Sequence, residues 1–343
     1  MDKQKILLAG KIASEVRNYA KSIVKKNIPL LEIAEKIEKK IIELRGKPAF
    51  PTNLSIDNIA AHYTPSPDDK TLAHGLLKID FGVHIDGWIS DNAFSVDLEN
   101  NEENRKLIQA SKEALENAIK LIKEKSDFHN IKASVSEGGV GEELRGSKEN
   151  HSNNNASEVS SYSKKFGESE NLPKTKITIS RIGKIISETI EEKGFSPVIN
   201  LSGHAMEKYD LHSGITIPNI DDNRNIEIKK GLYAIEPFAT NGVGKIHEGK
   251  PSGIYMLINE NRPRSSIARE ILEFIQEEYQ TLPFCSRWIV KKFGAKGMLG
   301  LRQLEENQNL HNFPQLVETQ NAKVSQAEHT IFIDDKEVIV TTE

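Results

Sequence analysis

One stretch of the chain limits the fold more than any other: Lys78-Ile79-Asp80-Phe81-Gly82-Val83-His84-Ile85-Asp86-Gly87-Trp88-Ile89-Ser90-Asp91-Asn92-Ala93. Leu77, Ile79, Phe81 and Val83 are apolar at alternate positions, so a strand here buries them and turns Asp80 to the other face. Asp86-Gly87 is the strongest short hairpin signal. With those two residues as the turn, Ile85 pairs with Trp88, Gly82 with Asp91 and Asp80 with Ala93. Asp80 and Asp91 then share a face as diagonal neighbours, about 7–8 Å apart at Cα. Gly82, opposite Asp91, leaves space there. Two unpartnered carboxylates converging on a sheet face repel, so the pair needs a cation. The expectation depends on parity: a one-residue bulge would send the two aspartates to opposite faces.

The rest of the chain supplies helices around that hairpin. Ile6, Ala9, Ile12, Val16, Ala20 and Ile23 recur at helical spacing. Leu30, Ile33, Ile37, Ile41 and Leu44 do so again, with Gly46 as the expected stop. A third helix is expected over about 102–125. A fourth starts at Ser180 as N-cap and stops at Gly194. Strands are expected around 231–236 and 326–333, and 264–312 reads as a three-helix insert. Helices before strands, twice over, indicate mixed α/β (α+β) rather than βαβ alternation.

Residues 130–175 are poor in apolar side chains, as in Ser147-Lys148-Glu149-Asn150-His151, and are expected to form a disordered polar insertion.

At 343 residues the chain exceeds the usual single-core size, so an elaborated domain or two domains are expected. The net charge of −4 argues against a nucleic-acid binder and a polybasic membrane anchor. Cys285 stands alone, which excludes an internal disulfide and suits a reducing cytosol. Charges interrupt residues 1–25, so no signal peptide is expected, and no apolar run approaches membrane-spanning length.

Three further sites join the aspartates: His204 in Asn200-Leu201-Ser202-Gly203-His204, Glu236 in Ala234-Ile235-Glu236-Pro237, and Glu328 in Gln326-Ala327-Glu328-His329. His212 follows His204 by eight positions, and His62 lies in Ala61-His62-Tyr63. Taken singly, each has an ordinary structural explanation. Glu236, before a proline in an apolar run, is costly to bury without a partner. Pooled, two Asp, two Glu and one His form an oxygen-rich set suited to divalent Mn, Fe, Co or Zn. Two such ions can together activate a water and polarise a carbonyl. Spacing alone does not bring the five residues together.

These sites with their flanks resemble a methionine aminopeptidase, specifically the archaeal form of the type 2 class. The matching pieces are 49–55, Ile59–Pro65, Ile79–Gly82, Ser90–Ala93, Asn200–His204, Leu211–Gly214, Ala234–Thr240 and Gln326–Ile331. They keep the family's order and cover nearly the whole chain outside the insertion. The resemblance implies a single pita-bread catalytic domain over 1–343. Its halves are related by a pseudo-twofold around an antiparallel sheet, and 264–312 forms a winged-helix-like insert. It implies two divalent ions (Co, Mn, Fe or Zn). Asp80 would chelate one, His204 and Glu236 the other, and Asp91 and Glu328 would bridge both.

The activity implied is removal of the initiator methionine from chains with a small second residue. An activated water attacks the first peptide bond, with Glu236 shuttling its proton. His212 would stabilise the oxyanion, and His62 would contact the substrate amide. Phe50, Leu211, Phe238 and Phe313 would hold the methionine side chain; the family can carry tyrosine in place of Phe313. Peptide and nascent-chain N-termini are the expected partners, with ribosome association an open option. A cytoplasmic monomer without nucleic-acid specificity or membrane contact is expected.

Two relatives on the same fold compete. A prolidase or aminopeptidase P shares the ligands but usually carries a large extra N-terminal domain, for which Asp80 leaves little room here. A non-enzymatic binding protein would have lost ligands. Cys285 lies away from every motif, and Gly242-Val243-Gly244-Lys245 lacks the setting of a phosphate loop.

Overall fold

The computed structural model describes residues 1–136 and 177–343. The hairpin forms between strands Leu76–Ile85 and Trp88–Asp97. Its register pairs Ile85 with Trp88, Gly82 with Asp91 and Asp80 with Ala93, without a bulge. Asp86 and Gly87 both take positive φ, 48° and 84°, as a type I′ turn requires.

Helices α1 (Lys3–Ile23) and α2 (Leu30–Glu43) cover the apolar hairpin face. Ala13, Val16, Ile33 and Ile37 pack there against Leu77, Ile79, Phe81 and Val83. The turn after α2 corrects the expectation at Gly46. Arg45 takes the left-handed conformation, φ 66°. Gly46 is needed for space, because a Cβ there would lie 2.8 Å from Val83 Cγ1.

The second half repeats the scheme of two helices over antiparallel strands. Helices α3 (Glu102–Ser136) and α4 (Ile179–Glu192) enclose a core with Ile235 and Ile331. Those residues lie in a five-stranded sheet ordered Val338–Val340, His329–Ile333, Gly231–Ile235, Ser202–Met206, Thr216–Pro218. Thr178, not Ser180, caps α4, its hydroxyl accepting from Arg181 N–H at 3.3 Å. Gly194 follows with φ 81°, as a helix stop. The architecture is the expected mixed α/β arrangement of helices over antiparallel sheets. Part of the 130–175 segment belongs to α3, which continues to Ser136; the remainder, 137–175, lies outside the described residues.

Within 264–312 lie helices α5 (Ser266–Glu278), α6 (Ser286–Phe293) and α7 (Ala295–Glu306). Ile271, Ile275, Ile289, Leu301 and Leu304 give them a small core of their own. A four-stranded sheet, ordered Phe284–Cys285, Ile246–Leu257, Leu310–Glu318, Ile59–Ala61, connects them to the rest. Among the described residues no helix is long and apolar enough to cross a membrane.

Candidate active site

The halves meet on the polar face of the hairpin. Glu328 donates its N–H to the carbonyl of Ala93 at 2.9 Å, which sets the Glu328 strand beside Asp80 and Asp91. Ser95 Oγ and the backbone of Gln326 exchange two further bonds, at 2.8 and 2.9 Å. In the second half His204 pairs with Ala234, two residues before Glu236. Gly203 permits that approach, since a Cβ there would stand 2.3 Å from the Ala234 carbonyl oxygen.

One cavity of ≈ 270 Å³ is lined by every candidate named from the sequence. Asp80, Asp91, His204, Glu236 and Glu328 lie in it with His62 and His212, and with Phe50, Leu211, Phe238 and Phe313. Asp91, His204 and Glu328 are buried, and each offers a donor atom within 4.8 Å of the others. His204 Nε2 stands 3.7 Å from both Asp91 Oδ2 and Glu236 Oε1. The His204 and His212 rings meet edge to face at 4.3 Å.

The electrostatics of this cluster are unbalanced. Burial raises the pKa of Asp91, Glu236 and Glu328 well above the ordinary carboxylate range, and repulsion from neighbouring carboxylates, Asp80 in each case, adds to it. Burial also raises Asp80, against a bond from Gln326. Among the described residues, Asp80 Oδ1 and Asp91 Oδ1 are buried without a hydrogen-bond partner. Four carboxylates, one neutral imidazole and orphaned anionic oxygens form a donor set that fits hard or borderline divalent cations.

The histidines are held neutral. Burial lowers His204 to about 3 and His62 to about 4, the latter despite the Pro314 carbonyl. His62 Nδ1 lies 3.1 Å from that carbonyl, which can only accept, so Nδ1 carries the proton and Nε2 keeps its lone pair. His62 also takes φ 62°, a conformation uncommon for a residue with a side chain. His212 reaches solvent, yet the protein crowding its ring lowers its pKa by desolvation.

Gly82 corrects an expectation. The space it leaves is taken by Phe50, whose Cε1 would lie 2.4 Å from a Gly82 Cβ. A small residue is required there so that a cavity wall can approach the hairpin.

Sequence reasoning missed the residues that hold the cluster. Gln326 Nε2 donates towards Asp80 Oδ2 at 3.3 Å and Glu236 Oε2 at 3.5 Å. Arg17 of α1 donates to the Glu328 carbonyl at 3.1 Å and towards Asn92 Oδ1 at 3.5 Å, placing a half-buried cation behind the carboxylates. Lys78 is buried and donates to the carbonyls of Asp57 and Val324 at 2.9 and 2.8 Å. Arg17 is an ordinary helical arginine in sequence. The one local signal was Lys78, a charge two positions from Asp80 on the same strand face.

Comparison with known proteins fits this geometry. A family model, metallopeptidase family M24, matches residues 4–139. The methionine aminopeptidase of Pyrococcus abyssi is 41% identical over 348 residues, covering 100% of both chains. The chain belongs to the methionine aminopeptidase family. The Methanocaldococcus jannaschii methionine aminopeptidase is 38% identical over 99% of this chain and 98% of its own. Among solved structures, a methionine aminopeptidase from Thermotoga maritima superposes with a TM-score of 0.60 at 17% identity, covering 99% of this chain and 96% of that one. A thermophilic Arx1 gives 0.73 at 14% identity, covering 98% and 90%. At those identities the structural likeness speaks for the fold alone. The family assignment makes this protein a metallo-aminopeptidase, in which the buried Asp91–His204–Glu328 group can hold a metal.

Proposed function

We propose that this aminopeptidase removes N-terminal methionine from peptides and nascent proteins whose second residue is small, using two divalent ions. Asp80, Asp91, His204, Glu236 and Glu328 would hold the ions. The observation that carries the reading is the shared cavity: the buried carboxylate–imidazole cluster and the apolar Phe50, Leu211, Phe238 and Phe313 line the same space. Its ≈ 270 Å³ falls just below the range of about 300–1,000 Å³ seen for drug-sized ligands, which suits one side chain and the adjoining backbone.

Bound ions would supply an activated water and polarise the scissile carbonyl. The protein's own groups do the rest. Glu236, whose carboxylate faces the cavity 3.7 Å from His204 Nε2, is placed to take and pass on a proton. His62 presents the Nε2 lone pair, so it can accept from the substrate amide N–H. His212, neutral and beside His204, can donate to a developing oxyanion. Phe313, 5.6 Å from the His62 ring, places an apolar wall next to the polar groups.

Purified protein supplied with Mn or Co should release methionine from Met-Ala-Ser. Turnover of Xaa-Pro peptides with none on Met-Ala-Ser would reject the reading in favour of a proline-specific peptidase.

A further inference from the structure

A buried polar cluster lies outside the carboxylate site, where α6 meets α2. Arg287, in the first turn of α6, makes a two-pronged contact with Glu38 of α2. Nη1 donates to Oε2 at 2.6 Å and Nη2 to Oε1 at 2.8 Å. Trp288 Nε1 donates to the same Oε2 at 2.8 Å. Both partners of the ion pair are nearly sealed from water, with side chains 5% and 8% exposed.

The remaining bonds of this cluster go to one segment, residues 52–65. Glu38 Oε1 accepts the Thr52 N–H at 3.2 Å, and Arg287 Nε donates to the Pro65 carbonyl at 3.2 Å. Thr64 Oγ1 donates to the Thr52 carbonyl at 2.9 Å and closes the segment's base. Between those anchors lie Asn53, Ala61 and His62, and just before them Phe50 and Pro51; all five line the cavity.

A second part of the cavity wall comes from the insert and the strands that flank it. Pro283, four residues before Arg287, lines the cavity with Ile254 and Phe313. Ile254 pairs with Cys285 on one side and with Phe313 on the other. The ion pair therefore joins the element that carries one wall to the element that carries the other.

A buried ion pair is a weak source of net stability, because desolvation offsets its attraction, and apolar replacements are often neutral or better. Its fixed fork does set distance and orientation, which an ammonium cannot do.

We infer that the Glu38–Arg287 pair, with Trp288, positions the two walls of the substrate cavity, so that substrate fit depends on it while bond cleavage does not. Glu38 and Arg287 are positioning residues; neither lines the cavity. The inference rests on the functional reading above for its substrate and on geometry for its coupling.

Arg287→Lys, Glu38→Gln and the apolar pair Glu38→Leu with Arg287→Met test it. The pair variant keeps a packed interior if either single change prevents folding. On Met-Ala-Ser the folded variants should raise KM by roughly tenfold, the low end of what a misfitted methylene costs in an apolar pocket, with kcat and bound metal near wild type. Arg287→Lys keeps the charge and should still raise KM. Amide hydrogen exchange over 52–65 should quicken in the same variants, a readout that needs neither substrate nor metal. Wild-type KM and exchange in a folded variant overturn the inference, as does a fall in kcat at constant KM. If the wild-type protein releases no methionine while exchange still quickens, the functional reading fails and the coupling stands.

Discussion

The Thr330 hydroxyl is bonded twice to the backbone of Asp91, accepting its N–H at 2.7 Å and donating to its carbonyl at 2.7 Å. Thr330 lies two residues beyond Glu328, so one hydroxyl locks the strand following Glu328 to the hairpin strand of Asp91. The Thr330 N–H in turn donates to Thr342 Oγ1 at 3.1 Å, which extends the tie to the C-terminal segment.

Thr330→Val keeps the shape of the side chain but leaves the Asp91 N–H without its acceptor. A buried donor stripped of its partner costs about 1–3 kcal/mol. Outer partners of ligating groups typically change metal affinity by roughly 10–100-fold. The variant should therefore melt lower and bind Mn or Co more weakly, and titration of the metal-free protein measures the second effect. Affinity equal to wild type would mean that Asp91 needs no such anchor.

Gly82→Ala should impair substrate fit from the face of the hairpin that looks into the cavity. Its Cβ would stand 2.4 Å from Phe50 Cε1 and 2.9 Å from Ala49 Cβ. The Phe50 ring must shift, and overpacking of this kind costs about 1–3 kcal/mol. KM for Met-Ala-Ser should rise while bound metal, measured by elemental analysis, stays constant. An unchanged KM would show that the ring relaxes without altering the cavity.

His84 should make the protein acid-sensitive. Its Nδ1 accepts the Gly87 N–H at 3.0 Å within the hairpin turn, and burial lowers it from 6.5 to about 4. The folded pKa lies below the unfolded one, so the contribution is full above about 6.5 and is lost as pH falls towards about 4. The loss is on the order of 3 kcal/mol if the shift is fully expressed. His84→Asn keeps an acceptor for Gly87 without the titration. Melting temperatures between pH 7 and pH 4 should fall less steeply in the variant, and parallel curves would exclude His84 as a source.

The hairpin was readable in the chain because its determinants are local. Alternating apolar residues and an Asp-Gly turn settle register within a few positions, and Asp80 opposite Ala93 follows from counting. Helical periodicity likewise located α1 and α2, whose buried faces repeat every three to four residues. Terminal details were less legible. Arg45 rather than Gly46 turns left-handed, and Thr178 rather than Ser180 caps α4, because several neighbouring residues could serve and packing chose among them.

The sequence by itself determined the chemistry on offer: four carboxylates and an imidazole within recognisable flanks. Their convergence could not be read from spacing, and came beforehand only through resemblance. Tertiary structure alone decided which groups hold that cluster and shape the cavity beside it. Thr330 meets Asp91 across 239 positions, Arg287 meets Glu38 across 249, and Arg17 meets Glu328 across 311. No periodicity links such pairs. Only when the core is buried, and water no longer satisfies these groups, does each polar atom depend on the particular partner that the fold brings to it.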